Sequence, residues 1–144
     1  MELNMIKKLK NDDLETVMKI WLNTNIEAHD FINKNYWQGN YNLVKELLPN
    51  STVFVYEDNS LIKGFIGLTD NYIAGIFINS DCQSKGIGKA LLDYVKKDYS
   101  ELSLQVYKKN IRAVKFYTRE NFIVQKEQID ENTGEIELVM IWKK

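Results

Sequence analysis

The chain has few of the residues that build several kinds of site. It contains one cysteine (Cys82), one histidine (His29) and one proline (Pro49). A single cysteine excludes an intramolecular disulfide framework and a cysteine-rich zinc centre. A single histidine excludes a multi-histidine metal site, so no metal is expected. No apolar run approaches the ~18 residues of a membrane-spanning helix. The opening residues, Met1 to Met5, lack the apolar stretch of a secretory signal and begin an alternating segment instead. The expectation is a soluble cytoplasmic protein with no membrane partner. Net charge is also small, −1, with an isoelectric point near 5.9. That is far below the basic footprint of a nucleic-acid binder, so no nucleic-acid partner is expected. What is present fits a globule: 144 residues, 44% hydrophobic and 27% charged, are the proportions of a folded chain rather than a disordered one. A domain near ~150 residues buries roughly 68–70% of its unfolded surface and can build its own core. One domain over residues 1–144 is expected.

The small net charge hides a local imbalance. Residues 83–119 carry nine bases and three acids, a local +6, while residues 1–82 sum to −4 and residues 120–144 to −3. The basic stretch suits an anion, and the acidic remainder suits a cationic co-substrate. Lysines decorating solvated helix faces would give the same count.

Hydrophobic spacing organises the chain. Leu3 to Lys8 reads as a first strand. Asp12, with Glu15 three residues on, reads as a helix cap ahead of Leu14, Val17, Met18, Trp21 and Leu22. A less regular helical region spans Glu27 to Leu48 and stops at Pro49. Ser51–Glu57, Leu61–Leu68 and Tyr72–Ile78 read as strands. Ile87, Ala90, Leu91, Tyr94 and Val95 mark an amphipathic helix. A strand at Leu102–Val106 and a short helix capped by Asn110 follow, then a hairpin of Phe122–Gln128 and Glu135–Trp142. The order β-α-α-β-β-β-α-β-α-β-β describes a mixed α/β or α+β fold, locally parallel in its second half.

Between the strand Tyr72–Ile78 and the amphipathic helix lies a glycine loop, Gln83-Ser84-Lys85-Gly86-Ile87-Gly88-Lys89. First-turn N–H groups of a helix have no partner within it, and the helix dipole is positive there. Glycines let a phosphate approach that backbone, so the loop is a ready anion site, with charge added by Lys85 and Lys89. A P-loop is excluded, because Gln83 stands where its first glycine belongs and Ala90 where Ser or Thr must follow the lysine. A dinucleotide fingerprint fails at Leu91. Glycines that merely tighten the turn remain the plain alternative.

Gln83-x-x-Gly86-x-Gly88 resembles the Q/R-x-x-G-x-G/A motif of the GNAT (GCN5-related) N-acetyltransferase superfamily. A second signature resembles it too: Asn110-x-x-Ala113-x-x-Phe116-Tyr117-x-x-x-Asn121-Phe122, with Asn121 where the family usually has Gly. Asn tolerates the left-handed geometry of a helix C-cap, so this departure is mild. Ser80, where many relatives have Pro, is another mild one. Ala28-His29-Asp30-Phe31-Ile32 after the first helix resembles small bacterial members of poorly defined substrate.

The resemblance implies a GNAT fold, with a mixed sheet of about 6–7 strands and about four helices. It implies an acetyl-CoA-dependent N-acetyltransferase, releasing CoA, that acts on a primary amine of a small molecule or peptide by direct attack. The backbone of Phe77 and Ile78, Gln83 and the loop through Lys89, with Asn110, Ala113 and Phe116, would hold the donor. Tyr117 would protonate the departing thiolate as a phenol of pKa near ~10. No carboxylate lies on the strand Tyr72–Ile78 to serve as base. His29, whose unperturbed pKa suits neutral-pH base work, is the candidate base or substrate contact. Trp21, His29, Asp30 and Tyr36 are candidate acceptor contacts, and core packing is the alternative for the aromatics. Cys82 is read as an ordinary small residue. The assembly is expected to be a monomer or homodimer. A catalytically inactive CoA-binding sensor is the alternative function.

Overall fold

Residues 5–144 are described by the computed structural model. Alternating β-branched and aromatic runs become strands, and stretches with apolar residues three and four apart become helices. In chain order these are β1 (Ile6–Lys8), α1 (Leu14–Ala28), α2 (Lys34–Leu47), β2 (Thr52–Asp58), β3 (Leu61–Thr69), β4 (Tyr72–Ile78), α3 (Ile87–Lys96), β5 (Glu101–Tyr107), α4 (Ile111–Arg119), β6 (Ile123–Ile129) and β7 (Ile136–Lys143). The strands join one seven-stranded sheet in the order β1-β2-β3-β4-β5-β7-β6. This is the expected mixed sheet with four helices. The expected parallel second half shrinks to one parallel pair, β4 with β5, because β7 inserts antiparallel between β5 and β6. No helix among the described residues is long and apolar enough to cross a membrane.

Two local expectations change. Asp12 does not cap α1. A short 3-10 turn, Asn11–Asp13, intervenes, and the Asp13 carboxylate accepts from the Lys10 backbone N–H at 3.2 Å. The expected helical region from Glu27 breaks at His29–Asn33, where the Asn33 side chain accepts from Asn35 N at 2.8 Å and starts α2 afresh. Leu3, the expected start of the first strand, lies outside the described residues.

The sheet buries a core on each face. Successive side chains of a strand point to opposite faces. On β3, Phe65 therefore joins Val17, Met18 and Val55 beneath α1, while Ile66 joins Leu91, Leu92 and Leu104 beneath α3. Leu91 anchors α3, and with it the glycine loop, and is fully buried. Leu91→Ala is expected to cost about 2–5 kcal/mol, read by urea unfolding as a lower midpoint at constant slope.

One irregularity shapes the functional end. On β4, Gly75 pairs with Gly67 and Ile73 with Leu68, so Ala74 is an extra residue and the strand carries a β-bulge. β4 pairs with β5 only through Tyr72–Ser103 and Ile73–Leu104. Past that point the two strands part. Residues 74–78 keep β3 on one side but no ladder partner on the other among the described residues.

Candidate active site

A cleft of about 620 Å³ opens beside the free end of β4. That lies within the 300–1,000 Å³ typical of ligand pockets. Its walls are the end of β4, the glycine loop, one face of α4 and the C-terminal half of α1.

The glycine loop is shaped by two left-handed residues, Ser84 (φ 65°) and Gly86 (φ 82°). Gly86 is the N-cap of α3. A Cβ there would meet nothing within 4 Å, so conformation rather than space selects glycine. Non-glycine residues reach this region only at a cost, and Ser84 sits in it at the mouth of the cleft. Left-handed residues interleaved with ordinary ones form a concave nest of N–H groups, the backbone form of an anion site. Gln83 braces the loop, its Nε2 donating to Ile78 O at 3.2 Å. Arg112 reaches across from α4 and donates to Gln83 Oε1 and, at 2.7 Å, to Ser84 Oγ.

α4 supplies the facing wall. Asn110 caps it, Oδ1 accepting from Ala113 N at 3.3 Å. Arg112, Lys115 and Arg119, spaced i, i+3 and i+7, line the cleft together with Phe116. Lys89 contributes less free charge than the sequence implied, because its ammonium pairs with Asp93 at 3.0 Å and Glu120 at 3.1 Å. Glu120, the one carboxylate lining the cleft among the described residues, is buried in that pairing.

Tyr117 lies two turns into α4, 7% exposed, and lines the cleft between Phe116 and Phe122. Its hydroxyl makes no hydrogen bond among the described residues. Burial, and more weakly Tyr72, pushes the phenol well above its ordinary value, so it stays protonated as a donor. His29, just past α1, also lines the cleft. Its Nδ1 lies 3.0 Å from Asn25 O and its Nε2 3.2 Å from Asn110 Nδ2. Burial lowers its pKa, keeping the imidazole neutral.

These features have counterparts among known proteins. A family model described as an acetyltransferase (GNAT) domain matches residues 9–140. Peptidyl-lysine N-acetyltransferase YiaC of Escherichia coli is 32% identical over 120 residues, covering 82% of each chain. Peptidyl-lysine N-acetyltransferase YjaB of Salmonella typhimurium is 27% identical over 128 residues, covering 88% of each. The chain belongs to the GNAT acetyltransferase family. Solved structures agree on the fold. Apo YjaB from Escherichia coli superposes with TM-score 0.84 at 24% identity over 95% of each chain. The PaiA N-acetyltransferase from Thermoplasma acidophilum, solved with coenzyme A, superposes at 0.81 with 22% identity, over 96% of this chain and 98% of that one.

This GNAT chain is therefore an N-acetyltransferase, and its structure sorts the candidate residues. Phe77, Ile78, Gln83, Ser84, Gly86, Ile87, Gly88 and Lys89 meet in the cleft, as do Asn110, Ala113, Phe116 and Tyr117. Lys85 is exposed and stands outside the lining. Of the four acceptor candidates only His29 lines the cleft. Trp21 packs edge-on to Trp37 in the α1–α2 core, which is where its helical spacing with Val17 and Met18 sends it. Tyr36 packs edge-on to Trp37 outside the cleft lining, and Asp30 faces solvent. Cys82 is buried beside Asp81, and burial first, then that carboxylate, pushes its thiol up and keeps it inert. Sequence reasoning missed Thr24, Asn25 and Ala28 on α1, which carried no signal beyond helical spacing. It also missed the cleft-facing role of Arg112, Lys115 and Arg119, although their spacing on one helix face could have revealed it.

Proposed function

We propose that the protein transfers an acetyl group from acetyl-CoA to the side-chain amine of a peptidyl lysine. The observation that carries this reading is the convergence in one cleft of the glycine-loop nest, three basic residues of α4 and an unpaired, protonated Tyr117. The lysine acceptor rests on the relatives that carry that activity in their names. The cleft's residues fit the donor: N–H groups at the loop and α3 N-terminus suit its pyrophosphate, and Arg112, Lys115 and Arg119 suit further phosphate. Bound acetyl-CoA would supply the activated thioester. The free backbone edge of β4 at Phe77 and Ile78 would donate to the carbonyl oxygen as charge develops there. Tyr117 would donate to the departing sulfur.

The acceptor amine must arrive without its proton. Among the described cleft residues, Glu120 is tied to Lys89 and the His29 Nε2 lone pair faces Asn110. The amine therefore loses its proton to water before attack. Below the amine's own pKa of about 10.4 the neutral fraction grows tenfold per pH unit. kcat/KM for a lysine peptide is thus expected to climb with unit slope from pH 6 to 10. A plateau starting below 6.5, where the buried imidazole titrates, would instead assign the base to His29.

The test of the activity itself is incubation with acetyl-CoA and lysine-containing peptides, followed by free thiol and acetyl-lysine by mass spectrometry. Stoichiometric thiol and acetyl-lysine support the reading. Thiol release only with small amines would move the acceptor class. Donor binding without turnover on any amine would leave a CoA-binding module.

A further inference from the structure

The single histidine sits where two walls of the cleft meet, and its hydrogen bonds fix its chemical form. Asn25 O can only accept, so His29 Nδ1 carries the proton and donates to it at 3.0 Å. Nε2 is then a bare lone pair. Across 81 residues of sequence, Asn110 Nδ2 approaches it at 3.2 Å. The orientation of the Asn110 amide is set independently, because its Oδ1 accepts from Ala113 N at 3.3 Å and caps α4. The two assignments agree: oxygen toward the helix, NH2 toward the imidazole. The ring has little freedom to turn away. Trp37 stacks on its face at 5.1 Å, and Phe31 and Tyr107 meet it at 5.7 and 5.2 Å. Asn25, the lower anchor, is buried, and its Nδ2 donates to Trp21 O at 2.9 Å.

We propose that His29 is a positioning residue, a neutral clasp that fastens the α4 cap Asn110 to the end of α1 and so sets the wall that carries Arg112 and Tyr117. The proposal rests on the acetyltransferase reading of the cleft but assigns His29 a role other than base. It explains why the one imidazole in the chain lines the cleft with neither nitrogen free. A base needs an unoccupied lone pair directed at the substrate, and this lone pair is directed at Asn110. The lowered pKa produced by burial agrees, since only the neutral ring can accept from Asn110. Protonation would set an N–H against the Asn110 NH2. Flipping that amide to compensate would turn its NH2 toward Ala113 N and lose the cap. The charged and titratable groups around the ring are Asp30 beside it in sequence, Tyr107 bonded to Asp130, Lys109 over Phe31, Tyr36 edge-on to Trp37 and next to Tyr107, and Arg112 on α4. None of them bonds either imidazole nitrogen among the described residues.

Three variants test the clasp. His29→Gln keeps an acceptor for Asn110 and a donor for Asn25 but cannot serve as a base. His29→Phe fills the aromatic surround and keeps neither. Asn110→Asp keeps the cap, since aspartate is as good an N-cap as asparagine, but replaces the donor facing Nε2 with an anion. Because the chain has one histidine, imidazole NMR titration reads His29 alone and needs no acceptor. The wild-type ring is expected to titrate below 6.5, and Asn110→Asp to raise the midpoint by about 1–3 units. An unshifted midpoint in that folded variant would overturn the contact. In steady-state assays at pH 8, His29→Gln is expected to retain most of the kcat that His29→Phe loses, with similar melting temperatures for both. Loss of a general base would cost about 10²–10⁴-fold in either variant. An equal loss of that size in Gln and Phe would overturn the positioning role. If wild type shows no turnover on any amine, the acetyltransferase reading fails while the titration still decides the clasp.

Discussion

Gly86→Glu is expected to abolish acetyl-CoA binding while leaving the protein folded. The backbone there holds φ 82°, and a side chain would meet no atom within 4 Å. The cost to the fold is therefore the left-handed penalty alone, about 1–2 kcal/mol. The effect on the ligand is far larger. The new carboxylate would stand at the N-terminus of α3, where the first-turn N–H groups would otherwise receive the donor's pyrophosphate. Two unit charges 4 Å apart at an effective dielectric of 20 repel by about 4 kcal/mol, close to a thousandfold in affinity. Gly86→Ala separates the two contributions, since it carries the backbone penalty without the charge. Calorimetry should find no acetyl-CoA binding to the Glu variant at millimolar ligand and at most about tenfold weaker binding to the Ala variant. Both should melt cooperatively within a few degrees of the wild type. Tight binding to the Glu variant would move the donor away from the loop.

The glycine loop could be read from sequence because its chemistry is local. Gly86 ends the connection from a strand and Gly88 lies in the first turn of the helix that follows, and a left-handed N-cap is a property of a few consecutive residues. The same holds for Asn121, which adopts φ 73° where the family usually has glycine, with Phe122 N donating across it to Tyr117 O at 2.9 Å. The parting of β4 from β5 was different. It goes with a bulge at Ala74, whose residue type carries no signal, and the family resemblance marks only the backbone of Phe77 and Ile78 beyond it. Aromatic identity misled at Trp21 and Tyr36. A tryptophan at helical spacing packs the core or lines a site according to which face the tertiary fold covers, and here α2 covers it. The His29–Asn110 contact was beyond sequence reasoning for a related reason. Each residue has a local explanation, one ending a helix and the other capping one. Their meeting exists only because α1 and α4 approach the same cleft. The role of His29 changes with that meeting, since the imidazole that looked free for base work spends its lone pair on Asn110.

Tyr117→Phe is expected to lower kcat about 10²-fold and leave acetyl-CoA affinity within about twofold. The hydroxyl has no protein partner among the described residues, so its removal breaks no hydrogen bond and the melting temperature should hold. Its protonation state makes the prediction sharper. Burial pushes the phenol well above its ordinary value, whereas a thiol ionises near 8.5. Full proton transfer from this phenol to a free thiolate therefore runs uphill. What the phenol offers is a hydrogen bond that strengthens as charge accumulates on sulfur. Two consequences distinguish this from a group that merely packs the helix. Wild-type kcat should show no falling alkaline limb up to pH 10, because the donor is still protonated there. The penalty for Tyr117→Phe should also depend on the leaving group. With an acetyl thioester whose thiol is more acidic than that of CoA, the sulfur needs less help, and the gap between the two proteins should narrow toward unity. Equal kcat values with acetyl-CoA itself would remove Tyr117 from the chemistry. A gap that stays constant across leaving groups would mean that the hydroxyl acts somewhere other than the departing sulfur.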